Sequence, residues 1–303
     1  MYVFPNGDQY RGGFDALKGK RNGEGECRYA NGDVYSGHWE ENKRHGQGVF
    51  TSHDGSTYTG TWSKDLRHGS GTLQDKDGTY EGDFVEGVRC GHGQQRDVDG
   101  STYDGQWRHN ARCGPGTYYD ATTDTTYEGT FLYNLLVGQG KAAAKAKQDE
   151  YEGTWLDGRQ QGHGTYRFPN GDVIRGVWHR GKQQDGDVDF HTTDGGKYVG
   201  QWKHGKRNGR GTQVYPDGTV YEGQWVDDVR QGQGRLTKIT GEALESVWVA
   251  DAVPEGQAGT LTFSDGSVYA GMLRRGVAHG QGVLTYPDGT VFEGSFDHGV
   301  YVL

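Results

Sequence analysis

The chain of 303 residues carries 55 glycines, only 31% hydrophobic residues and a formal net charge of -9, with a mean hydropathy of -0.92. So little aliphatic material excludes one large two-layer core, since ordinary globular domains are roughly 45–50% apolar with glycine included, and the acidic balance argues against nucleic acid as a partner. The 8 Trp, 19 Tyr and 10 Phe exclude a disordered chain as well, because such chains are poor in aromatics.

Those rings recur in order. An aromatic-x-Gly-x-aromatic phrase followed by Gly-x-Gly begins at Tyr10 and returns at Tyr35, Tyr58, Tyr80, Tyr103, Tyr127, Tyr151, Ile174, Tyr198, Tyr221, Leu244, Tyr269 and Phe292. Successive anchors are 22 to 25 residues apart, so a repeat with a period of about 23 residues organises the chain. The clean units are anchored by Tyr35, Gly37, Trp39, Gly46 and Gly48; by Tyr58, Gly60 and Trp62; by Tyr103, Gly105 and Trp107; by Tyr151, Gly153 and Trp155; by Tyr198, Gly200 and Trp202; and by Tyr221, Gly223, Trp225, Gly232 and Gly234. Half-repeats occupy 1–9 and 292–303, and irregular units fall near 141–150, 174–197 and 244–268. In the second of these, Asp185-Gly186-Asp187 replaces Gly-x-Gly; in the third, Leu244 to Trp248 lacks the central glycine. Lys141 to Lys147 has a helix-forming composition where a strand is due, and reads as a weak strand or a loop.

Asn6-Gly7, Asn31-Gly32, Asp54-Gly55 and their equivalents between units are hairpin signals, because glycine tolerates the positive φ such turns need. A second polar turn, such as Glu40 to Arg44, joins the two strands within each unit. Each repeat is therefore expected to be one β-hairpin. The chain should be all-β: an elongated, single-layer antiparallel β-meander of about 13 tandem hairpins, forming one array over 1–303. With strands about 4.8 Å apart, such an array would be a rod of roughly 120–130 Å. Alternation places Tyr221, Gly223 and Trp225 on one face and Glu222 and Gln224 on the other. The Tyr and Trp rings are expected to lie over the glycines of both strands, where any Cβ would collide.

These residues resemble the MORN repeat (membrane occupation and recognition nexus). Tyr221-Glu222-Gly223-Gln224-Trp225, Gly232-Gln233-Gly234 and Tyr215-Pro216-Asp217-Gly218 follow its pattern almost letter for letter. The resemblance covers essentially the whole chain and implies a single-layer meander with a grooved face. Chains built only of these repeats resemble scaffolds of cilia and flagella, including radial-spoke heads, and of cytoskeletal collars. The family name refers to a proposed role in phospholipid binding.

No catalytic or cofactor site is expected. The Gly-x-Gly motifs lie in strands with no helix behind them, so they cannot cradle a phosphate. His45, His68, Cys90 and Cys113 precede Gly-x-Gly in successive units, as His279 does later, but equivalent positions about 10 Å apart form a ladder and not a zinc cluster. Asp75-Lys76-Asp77-Gly78 lacks the spacing of a calcium loop. Cys27, Cys90 and Cys113 give no disulfide framework, which fits a reducing compartment; the first residues are not expected to act as a leader, and no apolar run reaches membrane-spanning length. The expectation is a non-enzymatic structural scaffold in the cytoplasm and cytoskeleton, with the cilium or flagellum axoneme as its setting. It would dock other structural proteins of a cytoskeletal or axonemal complex and self-associate through its unpaired ends. The competing reading is a phospholipid-binding membrane tether, for which Lys203, Lys206, Arg207 and Arg210 are the candidate contacts.

Overall fold

The structure is a computed structural model describing residues 1–302, among which there is no helix. The residues form two compact units, 1–159 and 160 onward. Each is all-β, and its strands pair antiparallel with their sequence neighbours, as in Val34–Glu40 with Lys43–Thr51 in the first unit and Val220–Val226 with Val229–Thr237 in the second.

One repeat shows how the sequence builds this. Tyr35 faces Phe50, Gly37 faces Gly48, and Trp39 faces Arg44. Between Gly37 and Trp39 the ladder slips, so that one residue opposes three and the second strand bulges. The first glycine of Gly-x-Gly, Gly46, takes up that bulge at φ +59, in the left-handed region that glycine adopts without a Cβ penalty. The two-residue turn follows Glu40, with Glu41 at φ 52 and Asn42 at φ 71. This is the double positive-φ turn whose twist suits a hairpin.

The two turn types are thus distributed differently from the expectation. The tight two-residue turns lie within the repeats, at Glu41-Asn42, Lys64-Asp65 and Asp227-Asp228. The Asn-Gly and Asp-Gly dipeptides sit in wider loops, where only the glycine has positive φ: Ser52 N–H donates to Ser56 O at 2.8 Å and Gly55 N–H to Ser52 O at 3.0 Å. These are three-residue loops closed by a glycine bulge.

The aromatic face holds the core, and it corrects the expected packing. It is the Tyr ring alone that covers the glycine pair. A Cβ on Gly48 would lie 2.3 Å from Tyr35 Oη, and one on Gly37 would lie 2.8 Å from it. The phenol then donates to His38 O at 3.0 Å, a carbonyl beside the bulge. Trp39 instead reaches back one repeat, where its Nε1 donates to Gly25 O at 3.1 Å. The same bond runs from Trp62 to Gly48 O, from Trp107 to Gly93 O and from Trp225 to Gly211 O. Gly46 and Gly232 are not under a Tyr or Trp ring; a Cβ there would meet His38 and Gln224 from the opposite face. The glycines of Gly-x-Gly therefore have two different causes, one conformational and one steric.

Rings of adjacent repeats meet edge to face. Tyr35 lies 5.1 Å from Trp39 at 89° and 5.5 Å from Trp62 at 82°. Such contacts contribute about 0.5–1.5 kcal/mol each beyond area burial. The alternation continues through Tyr58, Phe84, Tyr80, Trp107 and Tyr103 to Phe131, so the core is a one-dimensional comb of rings.

The irregular units substitute in compensating ways. Lys141 to Ala144 completes the strand Leu135–Ala144, and the chain then turns through 145–148. Nearby, Tyr127 leaves its glycines and stacks on Tyr118 at 6.1 Å, while Leu136 fills the space over Gly129 and Gly140. Where Ile174 replaces Tyr, Val188 faces Gly200 and reaches within 3.5 Å of a Cβ on Gly176. Ser246 replaces the central glycine of its unit, is buried, and donates to Ala258 O at 2.8 Å.

Candidate docking groove

Of the sequence-predicted anchors, Tyr35, Trp39, Tyr58, Trp62, Tyr103, Trp107, Tyr151, Trp155, Tyr198, Tyr221 and Trp225 are buried, and Trp202 is half-buried. Burial disfavours phenolate and pushes Tyr58, Tyr103, Tyr151, Tyr198 and Tyr221 up to about 12. These groups are packing elements and offer no reactive surface. Trp202 is the exception in geometry: its Nε1 is buried without a partner, and its ring is tilted at 49° to Tyr198.

What the anchors leave exposed on their face is a channel. In the first unit, hollows of about 610, 400 and 390 Å³ succeed one another between Asn6 and Asn110. The first two share Arg44, Phe50 and Asp65, and the last two share Ser56, Arg67 and Leu73.

An arginine ladder that the anchor pattern passed over lines this channel. Arg21 lies 4.0 Å from the centre of the Trp39 ring, Arg44 4.3 Å from Trp62, Arg67 5.3 Å from Phe84 and Arg89 4.5 Å from Trp107. Each guanidinium is attracted by the ring face beneath it. Each is also tied to the tight turn of the next repeat: Arg44 Nε donates to Asp65 Oδ1 at 3.2 Å and its Nη2 to Asp65 O at 3.0 Å. In the second unit Arg207 lies 4.2 Å from Trp225 and Arg230 4.3 Å from Trp248, bound in the same way to Asp228 and Asp251. The signal was legible. In every case the arginine stands two residues before the first glycine, as in Arg44-His45-Gly46 and Arg207-Asn208-Gly209.

The basic group singled out in the sequence is divided. Arg207 is on the aromatic face, spent on Trp225, Asp228 and Gln213. Lys203 and Lys206 face each other across the turn, and Arg210 lies beyond the bulge, opposite Gln224 of the next repeat. His45, His68, Cys90 and Cys113 follow the arginines along their strands, and among the described residues no group of three or more His, Cys, Asp or Glu could hold a metal ion. No helix among the described residues is long and apolar enough to cross a membrane.

Comparison with known proteins agrees with this geometry at the level of the repeat. The MORN repeat model matches residues 17–34, 35–57, 58–79, 80–102, 103–125, 127–142, 151–173, 198–220, 221–242 and 269–291. No curated protein matches. Among solved structures, a point mutant of the TCP10 domain of Danio rerio CPAP aligns with 97% of this chain and 98% of its own, at 14% identity and a TM-score of 0.24. The wild-type domain in complex with a peptide of Danio rerio STIL aligns with 95% of this chain and all of its own (100%), also at 14% identity, with a TM-score of 0.22. Virginiamycin B lyase from Staphylococcus aureus aligns with 82% of this chain and 83% of its own, at 11% identity and a TM-score of 0.14. TM-scores this low carry no argument about this chain. MORN repeats point to a repeat scaffold or a membrane-binding module, and no enzyme family is indicated. With the family pattern matched over most of its length, the chain belongs to the MORN-repeat family.

Proposed function

We propose that this chain is a non-enzymatic scaffold that docks other structural proteins of a cytoskeletal assembly, with the axoneme of a cilium or flagellum as its setting. The observation that carries the reading is the division of labour on the aromatic face. The Tyr and Trp rings and their glycines are consumed in holding neighbouring hairpins together, which leaves a lined channel free for a partner. The resemblance to all-repeat chains of cilia supports the setting.

A membrane-tethering role would call for basic side chains gathered on one surface, and Lys203, Lys206, Arg207 and Arg210 are divided between two faces. Detergent extraction of cells carrying a tagged copy tests the proposal. Retention on a filamentous structure after extraction is the expected result. Loss into the detergent-soluble fraction, with membrane staining beforehand, would overturn it in favour of lipid binding.

A further inference from the structure

The arginines of the two units are not equally neutralised. Arg44, Arg207 and Arg230 each pair with a carboxylate at the next tight turn, Asp65, Asp228 and Asp251. At the same place Arg21, Arg89 and Arg112 meet the amides Asn42, Asn110 and Asn134, whose Oδ1 atoms accept only the arginine backbone N–H, at 2.7, 2.8 and 2.8 Å. Arg67 meets Gly87, which offers only its carbonyl, at 3.0 Å. None of these four has an ion pair within 4.0 Å among the described residues. The first unit of an acidic protein thus keeps four half-sunken guanidinium groups in one line with no carboxylate at ion-pair distance, the nearest acidic influence on Arg67 and Arg89 coming from Asp75 and Asp97 farther off.

Their spacing names an occupant. Arg21, Arg67, Arg89 and Arg112 lie on strands Lys20–Arg28, Leu66–Asp75, Val88–Asp97 and Ala111–Asp120, with Arg44 between the first two on Lys43–Thr51. Equivalent strands of neighbouring repeats are two strand spacings apart, about 9.6 Å. A polyproline II chain makes one turn in three residues of about 3.1 Å each, so it presents every third side chain on one face at about 9.3 Å. Over four repeats the two periods diverge by only about 1 Å. An α-helix, advancing about 10.5 Å per seven residues, would drift by roughly three times as much.

We propose that the channel of the first unit binds an extended acidic segment of a partner protein about thirteen residues long, with carboxylates in a three-residue register at positions 1, 7, 10 and 13 and a neutral residue at position 4, where Arg44 is already paired with Asp65. Arg21, Arg67, Arg89 and Arg112 are the charged contacts. The carboxylates face the arginine rim. On the other rim Asp33 and Asp75 already accept backbone N–H groups, so the segment turns neutral side chains towards it. A flat anionic membrane does not fit guanidinium groups laid down on rings between two rims. This inference rests on the docking function proposed above.

The test uses the full chain and a synthetic 13-residue peptide of Glu, Pro and Ala with glutamate at positions 1, 7, 10 and 13. The control has the same composition with its four glutamates consecutive. Binding is read from Trp fluorescence at physiological ionic strength, since Trp39 and Trp107 lie directly beneath Arg21 and Arg89. The spaced peptide should bind at least about tenfold more tightly than the clustered one, as one or two charge-assisted hydrogen bonds would give. The triple variant Asn42→Asp, Asn110→Asp and Asn134→Asp places a carboxylate beside each arginine, as Asp65 does naturally. It should melt no lower than the parent and lose the spaced peptide.

Equal binding of the two peptides, or full binding by the triple variant, would overturn the proposal. So would phosphatidylserine vesicles that bind the parent and not the triple variant while neither peptide binds, an outcome that favours lipid. If the spaced peptide fails and the protein is still retained after detergent extraction, the docking function stands and only the groove assignment falls.

Discussion

The repeat at Tyr35 and the repeat at Ile174 occupy the same kind of hairpin, yet they hold it together by different means. At Tyr35 a phenol covers two glycines and donates to the carbonyl of His38, and Trp62 of the following repeat donates to Gly48 O. At Ile174 there is no phenol, Val188 fills the space by its own bulk, and Trp202 of the following repeat is left with a buried, unpartnered Nε1. Over its glycine pair the first repeat sets a hydrogen-bonded phenol, and over Gly176 the second sets an apolar side chain that contributes shape alone. The difference shows that the second glycine of Gly-x-Gly in the regular repeat is a consequence of the tyrosine. Where the ring is absent a branched side chain takes the place of a glycine, and where the ring is present no Cβ fits.

The largest effect that would separate the two repeats is unfolding by base. Tyr58, Tyr103, Tyr151, Tyr198 and Tyr221 have folded values raised by burial to about 12, against about 10 when unfolded. Their neutral form is favoured by folding, so this stability is complete below about pH 10 and is lost as the pH rises through about 12. The melting temperature of the full chain should be level to about pH 9 and fall steeply between about 10 and 12. Tyrosinate absorbance should appear together with the loss of structure. Ile174 has nothing to titrate, so Ile174→Tyr should not blunt the fall. Tyrosinate appearing at about pH 10 with the fold intact would show that these phenols are not buried as described.

Next in size is the steric contrast. Gly48→Ala drives a Cβ to 2.5 Å from Tyr35 Cζ, whereas Gly176→Ala meets Val188 Cγ1 at 3.5 Å and Gln183 Nε2 and Trp178 Cζ3 at 3.8 Å, all ordinary contacts. Gly48→Ala should therefore cost about 3 kcal/mol, in the upper range for overpacking. Gly176→Ala should lie within about 0.5 kcal/mol of the parent, because removing a strand glycine also restrains the unfolded chain. Urea unfolding of both variants measures the gap. Similar costs for the two would break the claim that the ring excludes the Cβ.

How much of this was legible in the sequence depends on whether a feature lies within one repeat or between two. The anchors Tyr221, Gly223 and Trp225 were readable because period-two alternation puts them on one face; Tyr221 and Trp225 are buried and Gly223 half-buried between exposed Glu222 and Gln224. The positive φ of Gly232 and the return of Trp225 Nε1 to Gly211 were not. The first belongs to a bulge and the second to the register with the preceding hairpin, and alternation specifies neither. Arg44, Arg67 and Arg89 recur two residues before Gly-x-Gly and were visible, but a charged residue next to a turn reads by default as solvated. The planar guanidinium can instead lie flat on a ring while its edges bond the neighbouring turn. The cluster from Lys203 to Arg210 was the opposite case: adjacent in sequence, it is divided between faces by strand pairing.

A smaller effect sharpens the hydrogen-bonding side of the contrast. Trp225→Phe removes the bond to Gly211 O at 3.2 Å, while Trp202→Phe removes a donor that has no partner. Both lose similar ring volume. Trp225→Phe should be the costlier by about 1–2 kcal/mol, the difference between losing a hydrogen bond and relieving an unsatisfied one. Equal costs would mean that Trp202 finds a partner in solution.

The smallest predicted effects lie on the polar face, and they decide whether the contrast is confined to the aromatic one. Glu222 is exposed, standing between Thr212 and Arg235 on the adjacent strands. In the other kind of repeat Arg175 is exposed and 3.6 Å from Asp189. Ion pairs in such positions contribute about 0–1 kcal/mol. Glu222→Ala and Arg175→Ala should therefore each shift stability by no more than about 0.5 kcal/mol, against about 3–5 kcal/mol for Trp225→Ala, where a buried ring is lost. If Arg175→Ala instead cost several times as much as Glu222→Ala, the Ile174 repeat would be drawing on its polar face for what the missing phenol supplies elsewhere. Val188 would then have to be regarded as filling a space without replacing the tyrosine.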